Sequence, residues 1–324
     1  MKRGTKALLG AWGLLALLTV LFYWLRPQKT MVNWVISHIV APIRETVGLL
    51  TSWLPFSVAE LLYTILILGA LLLLAKMVVA VKCSEHKGKT LLLRMGAIAL
   101  IPAILVTGYN WLWALGYYGS SFAEKSGMTA EGVSVEDLTV VTAYFAKQAS
   151  LLSAQVARDA EGHFAEEDFW NDTEGLYASI EQEFPFLQNR ELRPKPMLYS
   201  RLMSWLGFTG FYFPFTGEAN VNVDFPAAQQ PSTICHELAH QRRVAAEQEA
   251  NFVGIAAGVS SGKTVYQYSA YLSGLTHLSN ALYKVDREAW SEIRQGLHDG
   301  ILVDWRDNSL YWDQFESPVE TVAT

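Results

Sequence analysis

Nineteen consecutive residues without a charge, Ala7 to Leu25 (ALLGAWGLLALLTVLFYWL), constrain this chain more than any other feature. As a helix rising about 1.5 Å per residue they span roughly 30 Å, the hydrocarbon thickness of a bilayer. A signal peptide is the competing reading, since Lys2, Arg3 and Lys6 form a basic start. The apolar run is too long for one, and Arg26-Pro27 stands where a small-residue cleavage site belongs. The segment therefore reads as a retained membrane anchor.

Two more spans are expected, at about 56–81 and 95–118. Glu60 and Lys76 fall near the ends of the second, where a charge costs less than at mid-bilayer and a long side chain snorkels. The third has no charge and ends in Tyr109, Trp111, Trp113, Tyr117 and Tyr118, the residue types of the membrane interface. Residues 30–55 are interrupted by Pro42, Arg44, Glu45 and Pro55, so this stretch is expected to lie along the interface as one or two short helices. Short-loop Lys and Arg are denser in the N-terminal segment and after the second span. The positive-inside rule accordingly predicts a cytoplasmic N-terminus in the cell membrane and, after three crossings, an extracytoplasmic remainder.

That remainder has a different composition. Residues 1–116 hold 11 Lys/Arg against 3 Asp/Glu, whereas residues 117–324 hold 14 against 28. An acidic surface repels phosphate backbones, which excludes nucleic acid as a natural partner of the second part. Its first expected partner is the lipid bilayer that holds its anchor. The two cysteines, Cys83 and Cys235, sit in different parts and make no disulfide framework. The expected domains are thus a membrane anchor, 1–118, and an extracytoplasmic domain, 119–324.

Within the second domain, 129–183 reads as helical, with a first helix in VEDLTVVTAYFAKQASLLSAQVARDA and a second around Thr173 to Phe184. After Pro185, Pro194 and Pro196, the glycine-punctuated aromatic run from Met203 to Phe215 is too short to span and favours extended strands. The alternation at 219–224, AlaAsnValAsnValAsp, predicts a half-buried strand.

The chemistry concentrates in HELAH: His236, Glu237 and His240. A spacing of four puts both imidazoles on one helical face, able to share a tetrahedral Zn²⁺, and sets Glu237 at its edge, where a carboxylate can take a proton from water. In a chain with 7 His, H-E-x-x-H arises by accident in about one case in a hundred. A catalytic zinc takes three protein ligands and keeps one position open. The third ligand is expected in EQEANF, seven residues on. Glu247, four before Asn251, matches the ExxA(D/N) element of gluzincin-type metallopeptidases, and Glu249 is the alternative. Arg242 and Arg243 could orient a substrate carboxylate. Tyr266, Tyr268, Tyr271 and His277 could supply a donor to an oxyanion, although packing is the commoner role of such residues. Cys235 reads as a buried structural thiol.

Together, the three-span start, FPFTGEANVN, CHELAHQ and EQEANF resemble a bacterial membrane family known as domain of unknown function 3810, which itself resembles zincin peptidases. The resemblance covers most of the chain, and its HExxH and ExEAN elements match without substitution, carrying over His236, Glu237, His240 and Glu247. It implies an N-terminal three-helix transmembrane anchor followed by a mainly α (α+β) zincin-like domain with a small β element before the HExxH helix. Members continue past YWDQF with another helical segment, so the end at Thr324 implies a shortened C-terminus. The expected function is a membrane-anchored zinc metallopeptidase acting on a peptide or protein substrate, with Glu237 as general base and the strand at 219–224 in the place of a zincin edge strand that would pair with the peptide. The alternative is a non-hydrolytic zinc-binding sensor or interaction protein, which would need no base beside its metal. A solute carrier fits poorly, because the spans hold almost no charge.

Overall fold

The computed structural model describes residues 3–128, 132–165 and 168–315. The start of the helical reading at 129 and the C-terminal end at Thr324 lie outside them. Two compact units divide the chain: Met1–Ser120 with Phe213–Gly217, and Ser121–Tyr212 with Glu218–Thr324. The division falls at Ser120, and five later residues group with the first unit.

The first unit is helical. Three helices are long and apolar enough to cross a membrane: α1 (Arg3–Leu25), α4 (Val58–Lys82) and α5 (Lys87–Leu112). They support membrane association. The third span is shifted from its expected bounds. It runs from Lys87 to Leu112, and of the aromatic stretch counted as its end Tyr117 and Tyr118 lie beyond it, in a 3₁₀ turn, Ala114–Tyr118. Absence of charge could not mark that end, because interfacial aromatics are as uncharged as the lipid-facing residues before them. Helices α1 and α5 pack together with tryptophan indoles satisfying backbone carbonyls: Trp12 Nε1 donates to Gly96 O at 3.1 Å and Trp111 Nε1 to Leu18 O at 3.2 Å.

Residues 29–52 form one helical run, α2 (Lys29–Val35) and α3 (Ala41–Ser52) joined by a π-helical turn, Ile36–Val40. Of the one or two short helices expected, the structure has a single, longer run. Proline lacks an N–H and its ring crowds the carbonyl four residues back; the wider turn just before Pro42 accommodates both without breaking the run. Val32 and Val40 lie in a buried cluster with Phe22, Leu25 and Leu115. The segment Phe213–Gly217 packs within this unit: Phe213 against Tyr63 at 5.0 Å between ring centroids, Phe215 over Gly108, and Thr216 O accepting from Thr51 Oγ1 at 3.0 Å.

The second unit is mainly helical with a three-stranded sheet. Its longer helices are α7 (Val135–Ser153), α10 (Gln230–Gln241), α11 (Glu247–Ser260), α12 (Thr264–Val285) and α14 (Asp299–Asp313). The shorter ones are α6 (Phe122–Ser126), α8 (Ala178–Glu183), α9 (Ser200–Trp205) and α13 (Arg287–Gln295). Helix α11 packs against both α10 and α12, and α12 against α7. One apolar cluster gathers Tyr177, Ile234, Leu238, Val253 and Tyr266 around α10 and α11. A second gathers Ala149, Tyr268, Leu272, Leu275 and Ile301 around α12.

Three expectations are corrected in this unit. The helix expected at 173–184 is only Ala178–Glu183. Met203–Phe215 is not wholly extended, because Ser200–Trp205 is helical and the strand β2 covers only Gly210–Phe213. Strand β3 (Glu218–Val221) is not a half-buried edge: the sheet order is β1-β3-β2, with β1 (Lys195–Pro196) parallel to it, and all four β3 residues are buried. The alternation misled because its polar members are satisfied inside. Asn220 Nδ2 donates to Glu218 O at 3.1 Å, and Asn222 Nδ2 to Ser204 Oγ and Phe208 O at 2.9 and 3.0 Å.

Candidate metal centre

Helix α10 opens with Pro231 in its first turn, where a missing N–H costs nothing. Nine of its twelve residues are buried, among them Glu237 and His240. The helix ends in a tight reversal. Val244 N donates to Ala239 O at 3.2 Å and Arg243 N to His240 O at 3.0 Å, while Arg243 takes a left-handed φ of 74°. This is the Schellman pattern with arginine where glycine is usual, at a backbone cost of about 1 kcal/mol. The Arg243 guanidinium donates to Phe186 O and Gln188 O at 3.2 and 2.8 Å, and so holds the strained residue in place.

The reversal has two effects on the site. It carries Val244 O to within 2.7 Å of His240 Nδ1. A carbonyl only accepts, so Nδ1 carries the proton and the Nε2 lone pair of the neutral ring is turned the other way. It also starts α11 after Ala246, so that Glu247 projects back toward α10. Its Oε2 lies 3.2 Å from His236 Nε2 and 3.4 Å from His240 Nε2. The three ligand atoms fall within 4.8 Å of one another, and the cluster could hold a metal ion. Two aromatic nitrogens and a carboxylate oxygen at these distances need a positive charge among them, a proton or a cation. The hydrogen bonds from both rings hold the Glu247 carboxyl well below the usual range; burial lowers His240, but Glu247, Glu237 and the Val244 carbonyl together raise it.

Close helix packing makes this convergence possible. A Cβ at Gly254 on α11 would stand 2.9 Å from the His236 backbone, so only glycine permits the approach. Gly210 on β2 plays the same part toward Glu237, whose Oε1 would lie 2.6 Å from a Cβ there. Glu237 is buried, and burial pushes its carboxyl up to about 7. Its Oε2 has no hydrogen-bond partner among the described residues. A carboxylate oxygen left bare beside two imidazoles is an expensive feature for a fold to keep without use.

The other sequence candidates have separate roles. Glu249 accepts from Phe122 N and Ala123 N at 2.8 and 3.0 Å, capping α6. Arg242 is buried, with Nε donating to Glu181 at 2.7 Å and the guanidinium over the Tyr177 ring. Tyr268 belongs to a network with Asp304 and Arg158, Tyr266 donates to Phe169 O, and Tyr271 meets Tyr144. His277 is exposed on α12. Cys235 is buried and pushed up to about 12 by desolvation, and its carbonyl accepts from Tyr177. Sequence reasoning missed Val244, Gly210 and Gly254. For Gly254 a signal existed: two glycines four apart, Gly254 and Gly258, inside a helix mark a close helix contact.

Apolar helices of spanning length in one unit, and a buried carboxylate beside a His-His-Glu cluster in the other, define a membrane-associated protein with a candidate metal centre. The family model described as Protein of unknown function (DUF3810) matches residues 37–324, and the chain belongs to this family. No curated protein and no solved structure matches it.

Proposed function

We propose that the chain is a membrane-anchored zinc metallopeptidase, with His236, His240 and Glu247 as ligands and Glu237 as general base. The observation that carries this reading is the convergence of those three ligand atoms beside a buried glutamate whose Oε2 is unpartnered. A tetrahedral ion with ligands at about 2.0–2.1 Å sets its ligand atoms about 3.3 Å apart, and the 3.2 and 3.4 Å separations fit that demand. Bound there, zinc would polarise a scissile carbonyl and acidify water.

The chain's own residues do the rest. His240 is held in one tautomer by Val244 O, and Glu247 supplies the negative charge that two neutral imidazoles lack. Glu237 takes the proton during attack and returns it to the departing amine, a task suited to a carboxyl near neutrality. The Lys/Arg asymmetry of the loops favours an N-terminus in the cytoplasm and the site outside the cell membrane; reporter fusions after Gly119 test this, and activity from a cytoplasm-only reporter would reverse it.

The decisive variant is Glu237→Gln, which keeps size and polarity and removes the base. It is expected to fold and retain zinc while losing at least about two orders of magnitude in hydrolysis of a peptide library. Equal cleavage by both proteins would sink the general-base role. Zinc bound with no cleavage by either would replace the peptidase with a zinc-binding sensor.

A further inference from the structure

Helix α9 wears its amphipathicity inside out. Its buried residues are Ser200, Met203 and Ser204, two of the three polar. Ser200 Oγ donates to Met197 O and accepts from Val223 N, and Ser204 Oγ accepts from Asn222 Nδ2. The opposite side carries Leu202, Trp205 and Leu206, each more than half exposed, at the i, i+3, i+4 spacing of a single stripe. Phe208 extends the stripe after the Gly207 turn, and Leu198, 82% exposed, precedes it. A surface helix in water is built the other way round, and contiguous exposed apolar side chains mark a binding surface.

We propose that this face, Leu198 to Phe208, seats in the interfacial layer of the lipid bilayer as a monotopic element of the second unit. The side chains are those of interfacial insertion, a tryptophan among leucines and a phenylalanine. The same chain carries three helices able to span a membrane, so a bilayer is a partner it always has at hand. Only five residues lead from Phe208 to Phe213, which packs against Tyr63 of α4; an extended chain of that length reaches about 17 Å at most. A second copy of the chain has no comparable argument in its favour. The inference does not depend on the metal-site reading.

The test uses the full chain with Cys83→Ser, reconstituted in phosphatidylcholine–phosphatidylglycerol vesicles. Leu202→Cys and Leu206→Cys are labelled with an environment-sensitive fluorophore, and Glu292→Cys, exposed on α13, serves as the solvated control. Nitroxide-bearing lipids are expected to quench the two α9 positions several-fold more than the control, and iodide on both sides of the membrane to quench them less. Iodide quenching equal to that of the control, without nitroxide quenching, would overturn the proposal by showing a solvated face. Shielding from both quenchers would overturn it in favour of a protein partner.

Discussion

Helices α4 and α10 break the familiar inside–outside rule in opposite directions. Of the 25 residues of α4 only Ala59 and Glu60 are buried, and leucines and isoleucines such as Leu61, Ile65, Leu68 and Leu71 are exposed around the helix. In α10 nine of twelve residues are buried, Gln230, Glu237, His240 and Gln241 included. The physical law is the same in both. Each side chain goes where its solvation is cheapest: α4 has the length and apolarity that suit a hydrocarbon medium, whereas polar groups of α10 such as Gln230 and His240 find partners within the protein. Exposure therefore has a meaning only once the medium is named.

The largest test of this contrast is Asp304→Ala in the second unit. Asp304 is 2% exposed and receives both guanidinium nitrogens of Arg158 at 3.1 and 2.9 Å. Its removal takes the carboxylate from the half-buried Arg158 guanidinium and the acceptor from the buried Tyr268 hydroxyl, and is expected to destabilise the protein by about 3–4 kcal/mol in denaturant unfolding; a loss below about 1 kcal/mol would mean that water reaches this network. Next comes the reverse experiment, Leu71→Lys at the middle of α4. In water, replacing so exposed a leucine would change stability by no more than about 0.5 kcal/mol, whereas in lipid it costs about 3 kcal/mol, readable in a membrane-insertion assay. A neutral result would remove α4 from the bilayer.

Two smaller effects sharpen the picture around α10. Glu247→Ala is expected to weaken metal binding by more than about a hundredfold, and Glu249→Ala to leave it intact, since the latter carboxylate caps α6. Metal analysis of both variants decides, and the opposite pattern would exchange their roles. Gly210→Ala forces the Glu237 side chain to shift while touching no ligand. Metal content should stay constant while peptide hydrolysis falls about tenfold, as expected of a positioning effect of an ångström or less; unchanged hydrolysis would show that Glu237 yields without consequence.

Much of this was legible in sequence where the signal is local. Apolar run length announces the three helices, and a four-residue spacing puts His236 beside His240. What stayed open or failed depended on distant partners. Glu247 and Glu249 share one helical turn, and the backbone of Phe122, 127 residues from Glu249, distinguishes them. The Asn220 and Asn222 side chains look solvated until the carbonyls that accept from them are known. Helix α9 eluded the strand reading because its exposed side is the apolar one, so periodicity pointed away from a helix expected in water. Gly210 gave no signal at all, since its value lies in a contact with a residue 27 positions on.

The π turn between α2 and α3 carries a consequence for how the first unit can change length. Eight residues of α-helix rotate a side chain by about 800°, which would leave Val40 some 80° away from Val32. The five π residues advance only about 82° each, as their i→i+5 bonding requires, and bring the total close to two full turns. Val32 and Val40 thereby share one buried face. The turn acts as a phase corrector that absorbs one extra residue. Losing one residue between Ile36 and Val40 would leave seven α-helical steps, about 700° in all, so the helix would become regular while both valines kept their shared face.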